Sequence, residues 1–529
     1  MRKLMWFTMG YALSCALGTY LLRGRGLLLI FALCTLGALG LVKFREHPVF
    51  RRGMVLLLGC AVGALAFFGY EYAVLHPAGM VDGETVPVTI RATDYSWPTR
   101  YGTGCDGELE LDGRTYKVRF YRNETEVLEP GDVVTMSAQL RLTDEGGDRE
   151  PTFHRTSGIL LLAYPRGDSV AADGEPELRD LPAIWANRLK GIIGESFPAD
   201  AFAFAKALLL GDKSGLSWQQ SREFSLSGIS HIVAVSGLHV SILFGFLGMV
   251  MGRRRWLMLL AGVPVLLCFG AMAGFTASVT RAVLMQILFL LALAVNREYD
   301  PPTALSFAGL VILLQCPLSI AGIGFQLSFA SVAGIFLFYP KLSGWLKTWL
   351  PGKGKKLRGR LERWFVSSVC VTLSATVMTV PLVAVHFGVV SLVGVVTNLL
   401  VLPVVSLIFY GVMAVCALGC LHSGAAAVLA EVISVPIRYV LTVAETLAGI
   451  PLSAVFTVSP YIVLWLVFTY GLILLLLIAR NKRPGVTFGL SAAALCVSLM
   501  LSFLEPLTCD YRVTVLDVGQ GQCILLQSE

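Results

Sequence analysis

The sequence predicts a polytopic α-helical membrane protein of about 13 spans, with an all-β barrel of OB type inserted after the third span. Of the 529 residues, 55% are hydrophobic and only 15% are charged, whereas soluble domains carry about 25% charged residues. Apolar windows of about 20 residues, long enough to cross a bilayer as a helix, recur along most of the chain. Residues 82–180 interrupt them with a different composition.

The predicted spans form two groups on either side of that stretch. The first group makes a unit of three helices at 1–75. Its first span begins like a signal peptide, but two spans follow closely without a clear small-x-small cleavage site, which favours a retained helix. In the second group, Pro403 and Pro436 predict broken or re-entrant helices between 391 and 445. The predicted spans are 5–22, 26–42, 53–70, 232–251, 255–273, 278–294, 302–317, 320–339, 366–386, 391–419, 423–445, 459–479 and 485–504.

Residues 82–166 are predicted to form a small closed barrel. Five strand-like runs, separated by Gly, Asp and Pro turns, occupy about 85 residues. An OB-type barrel fits that number of short strands, and a β-sandwich is the alternative. The stretch 82–180 contains 20 Asp and Glu against 11 Lys and Arg, a balance of minus nine. Residues 180–227 then predict amphipathic helices that lie on the membrane interface.

Basic residues in the short loops predict the orientation. If the N-terminus is cytoplasmic, the short outer loops carry only Arg23 and Arg25, and both the barrel and the C-terminal tail face outward. The basic, tryptophan-containing run 341–363 predicts a lipid-facing interfacial segment, with a docking site for a cytoplasmic motor as the alternative. The other inner-loop cations are Arg2, Lys3, Lys43, Arg45, Arg51, Arg52, Arg253, Arg254, Arg255, Arg297, Arg480, Lys482 and Arg483.

The stretch GISHIVAVSGLHVS, residues 228–241, places polar side chains at the mouth of an apolar span, where they are costly. A helical spacing puts His231, Val235 and His239 on one stripe. Three interpretations stay open: hydrogen-bonded packing between helices, the lining of a polar conduit, and a metal site. Two histidines without a nearby Asp, Glu or Cys make a poor ligand set. We therefore predict neither a metal nor a cofactor.

Arg281 lies early in another apolar span, where a buried guanidinium costs about 3 kcal/mol unless it meets water or a partner. The alternative is that it snorkels to the outer interface. Several amides and hydroxyls in other spans strengthen the prediction of a polar passage. The predicted lining residues are Ser227, Ser230, His231, Ser236, His239, Arg281, Gln286, Gln326, Ser328 and Asn398.

The barrel carries one strand in which aromatic residues alternate with cations, a pattern that suits stacking on single-stranded nucleic acid. The net negative charge of the barrel opposes a polyanion, so we expect weak, local binding. The predicted contacts are Arg114, Tyr116, Lys117, Arg119 and Tyr121.

Four motifs in this order resemble the ComEC-type DNA-uptake channel of naturally competent bacteria: SGISHIVAVSGLHVSIL, TASVTRAVLMQ, GFQLSFAS and HFGVVSLVGVVTNLLVLPVV. The resemblance implies a competence-type channel domain at 228–504 that passes single-stranded DNA across the bacterial cytoplasmic membrane. It implies, as partners, single-stranded DNA, the lipid bilayer, an external DNA receptor and a cytoplasmic DNA-translocating ATPase, and it allows a homo-oligomer.

The tail at 509–529 resembles the start of the family's metallo-β-lactamase-like domain through LDVGQGQ. The HxHxDH metal motif of that domain does not occur in these residues, so we predict no catalytic residue and no enzyme activity for this chain. Two alternatives remain: a secondary transporter for a small solute, and a degenerate family member without transport activity. An HxHxDH motif encoded immediately downstream would favour DNA uptake.

Overall fold

The computed structural model describes residues 2–111, 113–143, 153–252, 254–349, 357–457, 459–478, 484–504, 511–517 and 522–528. A helix occupies each predicted span, and helices also occupy much of 180–227. Their bounds are α1 Lys3–Tyr20, α2 Arg25–Leu41, α3 Pro48–Tyr70, α6 Leu181–Ser196, α7 Phe202–Leu210, α8 Trp218–Ser227, α9 Gly237–Met251, α10 Arg255–Met272, α11 Ala277–Ala294, α12 Pro301–Gln315, α13 Ile323–Trp349, α14 Leu357–Phe387, α15 Gly394–Gly419, α16 Ser423–Ala448, α17 Pro460–Ile478 and α18 Pro484–Leu504.

Eight helices in the described part of the chain are long and apolar enough to cross a membrane. They include α2, α3, α10, α11 and α13 to α16, while α9 and α12 are apolar but shorter. The chain is therefore a helical membrane protein. Its apolar side chains are exposed on many helices, as expected for surfaces that face lipid.

The first helix packs against the third through small residues. A Cβ atom at Gly59 would lie 2.1 Å from the carbonyl oxygen of Phe7, and one at Gly10 would lie 2.1 Å from that of Leu56. Ser14 donates a hydrogen bond of 2.7 Å to the carbonyl oxygen of Cys60. Because small residues let helix backbones approach closely, α1 is an integral part of the bundle.

Five strands within 85–111, 113–143 and 153–172 form the closed barrel that the strand pattern predicts. The strands are β1 Thr85–Ala92, β2 Trp97–Thr99, β3 Gly102–Leu111, β4 Arg114–Arg122, β5 Val133–Leu142 and β6 Ile159–Ala172. The barrel order is β1–β5–β6–β4–β3, and β1 closes it by pairing with both β5 and β3. Only the β4–β6 pair is parallel, and β2 extends the β3 edge. The closure excludes the alternative of two stacked sheets.

The barrel is fixed to the helices at three places. Arg114 donates to the carbonyl oxygen of Ala73, in the π-helical turn Glu71–Leu75 that follows α3. Ser319, in the 3-10 helix Pro317–Ala321, donates to the carbonyl oxygen of Thr156 at 3.0 Å. Thr156 ends the short helix α5 (Phe153–Thr156), which precedes β6. The other short helix, α4 (His76–Met80), precedes β1.

The third attachment joins the barrel to the start of α6. The guanidinium of Arg91 in β1 forms a two-pronged ion pair with Asp180, the residue before α6. Burial raises the pKa of Asp180, but the bonds from Arg91 and from the backbone of Glu177 outweigh burial, so the pKa lies below its ordinary value. The ion pair therefore holds the carboxylate ionised and ties the barrel to the helix.

Helix α6 is amphipathic, as predicted, but its buried face meets protein. It packs against α10, α15 and α16, and Ile193 is fully buried while Trp185 is 45% exposed. Ile192 packs closely on Gly419: a Cβ atom at Gly419 would lie 2.3 Å from Cγ2 of Ile192. One face of α6 therefore belongs to the helical core, and its position at the membrane interface stays a prediction.

Neither predicted break in the later helices occurs. Helix α15 runs through Pro403 and α16 runs through Pro436 without interruption. A proline inside a membrane helix is tolerated because neighbouring helices and local adjustments satisfy the freed carbonyl groups. Residues 228–236 connect α8 to α9 and residues 388–393 connect α14 to α15, and neither connection contains a proline.

Two further predicted regions are only partly described. In the basic run 341–363, residues 350–356 lie outside the described residues, and Trp345 and Trp364 are exposed. In the tail, β9 (Tyr511–Asp517) and β10 (Gln522–Ser528) form an antiparallel hairpin. The short strands β7 (Val389–Ser391) and β8 (Ala454–Phe456) pair elsewhere. The assignment of the tail to a metallo-β-lactamase-like domain stays a prediction.

Candidate functional site

The motif at 228–241 is a loop followed by a helix, so the predicted helical stripe is wrong. Gly228 ends α8 in the left-handed conformation with φ of +81°. Ser236 caps α9: its hydroxyl accepts from the N–H of Leu238, and Nδ1 of His239 accepts from the N–H of Ser236 at 3.1 Å. This Ser-x-x-His arrangement is a capping box, which marks the start of a helix. A stripe through His231, Val235 and His239 would instead require one continuous helix across Ser236.

The loop 228–236 has an apolar side and a polar side. Ile229, Ile232 and Val233 are buried in the helical core, whereas Ser230 and His231 are exposed. His239 is fully buried, and its ring centroid lies 5.7 Å from that of Phe409 in α15. Of the two histidines, only His231 faces open space.

A second irregular segment meets this loop. A Cβ atom at Gly228 would lie 3.0 Å from the Cα atom of Gly394 and 3.0 Å from the Cβ atom of Ser391. Both segments therefore approach each other at backbone level. The second segment contains β7, whose backbone pairs with that of β8.

Arg281 points into the bundle and does not snorkel outward. Arg281 is only 8% exposed. Its Nη1 donates a 2.6 Å hydrogen bond to the carbonyl oxygen of Ser328 in α13. A Cβ atom at Gly237 would lie 2.6 Å from Nη2, so the guanidinium lies directly against that glycine. Within the described part of the chain, no ion pair includes Arg281, and its Nε has no hydrogen-bond partner.

A cavity of about 410 Å³ opens beside this guanidinium. It lies between α9, α11 and α13 and includes Tyr299 from the connection after α11. Polar groups of Ser241, Arg281, Gln286 and Tyr299 line it, together with Phe244, Met285, Phe289 and Val332. Two residues of the predicted lining, Arg281 and Gln286, thus share one cavity.

Gln326 joins three elements near the start of α13. Its Nε2 donates to the carbonyl oxygen of Ile320 at 3.2 Å, and its Oε1 lies 3.0 Å from Nε2 of His386 at the end of α14. Ser278 donates to the carbonyl oxygen of Gly324 at 3.1 Å. His386 was not predicted, although the motif at 386–405 begins with it.

These contacts close on themselves, and we call the set the polar ring. It runs from Gly228 to Ser391, along the chain to His386, across to Gln326, along α13 to Ser328, across to Arg281, and back through Gly237 and the loop. The polar ring includes two predicted residues, Arg281 and Gln326, and the backbone of a third, Ser328. It passes along the loop that carries Ser230 and His231. Its members Ser391 and His386 were missed.

The remaining predicted lining residues are locally engaged or buried. Ser227 is fully buried, and its hydroxyl contacts the carbonyl oxygen of Phe224 in its own helix. Ser236 and His239 serve the helix cap described above. Asn398, one turn after Gly394, is 9% exposed and its Oδ1 has no partner within the residues that the structure describes.

The predicted nucleic-acid strand of the barrel divides into two faces. Tyr116 is 6% exposed and belongs to the barrel core, so it is not available for stacking, and the prediction for this residue is wrong. Lys117, Arg119 and Tyr121 point outward. Alternate side chains of a strand lie on opposite faces, which separates Tyr116 from these three.

The outward cations meet acids on the neighbouring strand. Arg119 forms two hydrogen bonds with Asp106, of 2.6 and 2.8 Å, and its guanidinium lies 4.8 Å from the ring centroid of Trp97. Lys117 lies opposite Glu108 in the β3–β4 register. Tyr121 stacks on Tyr164, with ring centroids 5.3 Å apart. Asp106 therefore neutralises Arg119, whereas Glu108, opposite Lys117, forms its ion pair with Arg179 at 2.7 Å.

Three curated proteins are similar to the chain. It is 27% identical to ComE operon protein 3 of Bacillus subtilis over 62% of this chain and 41% of that protein. It is 23% identical to Recombination protein 2 of Haemophilus influenzae over 90% of this chain and 64% of that protein. It is 30% identical to Competence protein ComA of Neisseria gonorrhoeae over 29% of this chain and 24% of that protein. The chain thus spans less than two thirds of each relative's length.

No solved structure matches the chain significantly. The family model described as Competence protein matches residues 208–483, more than half of the 529 residues. That match includes the loop 228–236, Arg281 and every other member of the polar ring. This chain belongs to the Competence protein family, the ComEC-type family that its motifs resemble.

Proposed function

We propose that this chain forms a path for single-stranded DNA across the cytoplasmic membrane during natural competence. The observation that carries the proposal is the polar ring. It joins two segments between helices to Arg281, a buried cation that has no acidic partner among the described residues. The chain that contains it belongs to a competence family. A polyanion needs a water-lined route through about 30 Å of hydrocarbon. We expect the chain to have no enzyme activity, so the energy comes from a partner.

The position of the barrel supports the same path. Thr156 of the barrel contacts Ser319 and Gly322, which directly precede α13, and α13 carries Gln326 and Ser328 in its first two turns. A DNA strand that leaves the barrel beside Thr156 would therefore meet the start of α13, which carries two members of the polar ring. We infer that the barrel receives DNA and delivers it to this end of the bundle.

Cysteine substitution tests the path. In a chain whose exposed Cys268, Cys420 and Cys496 are replaced by alanine, we introduce cysteine at Ser230, His231 or Ser241. Modification of any of these with a charged methanethiosulfonate should lower uptake of labelled DNA at least about tenfold, because the adduct narrows a water-filled route. The matched control is Ser221→Cys, an exposed polar position on α8 outside the polar ring. Full uptake after complete modification at all three positions would remove the polar ring from the path.

For the orientation, we propose a cytoplasmic N-terminus and an external barrel. Arg2 pairs with Asp300 at 3.0 Å, so the starts of α1 and α12, both assigned to the inside, lie together. An impermeant thiol reagent should label Thr115→Cys in intact cells, and Glu298→Cys only after permeabilisation. The reverse pattern would invert the topology.

For the barrel, we propose weak binding of single-stranded DNA that is limited by the Asp106–Arg119 ion pair. Asp106→Asn removes one negative charge and frees the guanidinium, so the affinity of the purified protein for a short oligonucleotide should rise about two- to fivefold at low salt. Adding Arg119→Gln should abolish the gain. An affinity that Asp106→Asn leaves unchanged would exclude this face as the DNA contact.

A further inference from the structure

Arg281 is a buried cation whose hydrogen bonds are incomplete. One guanidinium nitrogen bonds a backbone carbonyl, Nε has no partner, and no ion pair among the described residues includes this side chain. Buried charges in proteins are normally paired or hydrogen-bonded. Within the described residues, the guanidinium therefore lacks a counter-charge, which a bound anion would supply.

The cavity beside Arg281 has the chemistry of an anion site. Gln286 and Tyr299 can each donate a hydrogen bond into it, whereas the Ser241 hydroxyl already donates to the carbonyl oxygen of Gly237. None of its lining residues is acidic. Its volume of about 410 Å³ lies within the range of about 300–1,000 Å³ that is usual for small-ligand pockets. The apolar walls, formed by Phe244 and Phe289 among others, lower the local dielectric and strengthen the attraction between a guanidinium and an anion.

Gly237 makes this arrangement possible. The guanidinium lies against the first residue of α9, and any side chain there would begin 2.6 Å from Nη2. The glycine therefore lets the cation reach the cavity wall from α11. Its role in the motif is to accommodate Arg281.

We infer that this cavity binds one oxyanion, with Arg281 as the charged ligand and Gln286 and Tyr299 as hydrogen-bond donors. With the proposed function as its basis, the oxyanion is a backbone phosphate of the passing strand. Every nucleotide presents the same phosphate, so recognition here is independent of base sequence. A site that holds one phosphate at a time gives the strand a resting position every nucleotide.

The test uses the purified full chain and inorganic phosphate or sulfate as the probe, without DNA. At matched ionic strength, either oxyanion should raise the midpoint of thermal unfolding relative to chloride, because a ligand that binds only the folded state stabilises it. Arg281→Gln should abolish the oxyanion-specific shift, and Gln286→Leu should reduce it. The matched control is Arg438→Gln, since Arg438 is an arginine of α16 already paired with Asp200.

Gly237→Ala gives a second, independent variant, because it keeps the cation and displaces the guanidinium; its oxyanion shift should also fall. No oxyanion-specific shift in the unmodified chain, or an equal shift in Arg281→Gln, would overturn the site. If cysteine modification of the polar ring blocks uptake while oxyanions have no effect, the path stands and this site fails. If oxyanions bind but Arg281→Gln takes up DNA normally, the site stands and its assignment to phosphate fails.

Discussion

Arg281→Ala should lower DNA uptake per molecule of membrane protein about 100-fold. The truncation leaves a phosphate without its charged partner in a poorly hydrated site, and such losses cost about 2–5 kcal/mol. A barrier raised by about 2.7 kcal/mol corresponds to a factor of about 100. The measurement is uptake of labelled DNA, normalised to the amount of protein in the membrane fraction.

Protein level separates transport from structure in this experiment. Because Arg281 has no acidic partner in the described residues, its removal orphans no charge and relieves the cost of burying one. The amount of Arg281→Ala protein should therefore hold or rise, although the bond to the carbonyl of Ser328 is lost. If protein and uptake fell together, Arg281 would act as a structural clamp between α11 and α13.

Arg281→Lys is the charge-keeping control. An ammonium group supplies the charge but cannot bond the Ser328 carbonyl and present a planar fork to the cavity at the same time. Partial recovery, to within about tenfold of the unmodified chain, is the expected result. Full uptake in Arg281→Ala would remove this residue from the mechanism.

The large features of the fold follow from composition and periodicity. Apolar runs of bilayer length are hard to mistake, and each predicted span overlaps a helix, although α9 begins five residues later than predicted, at Gly237. The barrel strands were equally accessible, since turns rich in Gly and Asp separate them. Barrel closure was a choice between two folds, and the pairing of β1 with both β3 and β5 decides it.

Local errors arose where two patterns competed. His231 and His239 have a helical spacing, but the sequence between them also reads as a helix stop and start. Ser236 and Gly237 followed by His239 form a capping signature, and this stronger local signal determines the structure. In β4, strict alternation already assigned Tyr116 to the face opposite Lys117 and Arg119, so a single stacking surface was inconsistent with a strand.

The contacts that define the site lie beyond sequence reasoning. Arg281 is 47 residues from Ser328 in the sequence and donates a hydrogen bond to its backbone carbonyl. Because the acceptor is backbone, the type of side chain at position 328 does not indicate the contact. The pairing of Arg119 with Asp106 depends on the register between β3 and β4. A net charge of minus nine predicted weak binding by the barrel, but only the register identifies Asp106 as the acid that neutralises Arg119.

Gly59→Ala should sharply reduce the amount of folded protein. The new Cβ atom would lie 2.1 Å from the carbonyl oxygen of Phe7, closer than any carbon can approach an oxygen without a covalent bond. Helices α1 and α3 would have to separate, at a cost of about 1–3 kcal/mol for overpacking. The hydrogen bond from Ser14 to the carbonyl of Cys60 lies in the same contact and would be strained too.

Gly69→Ala, on the same helix, is the matched control because nothing lies within 4 Å of a Cβ atom there. Thermal unfolding of both purified variants and their amounts in the membrane fraction provide the comparison. We expect Gly69→Ala to resemble the unmodified chain and Gly59→Ala to unfold several degrees lower. The pair also tests the first helix. If α1 were cleaved as a signal peptide, Phe7 would be absent from the mature protein, and the two variants would behave alike.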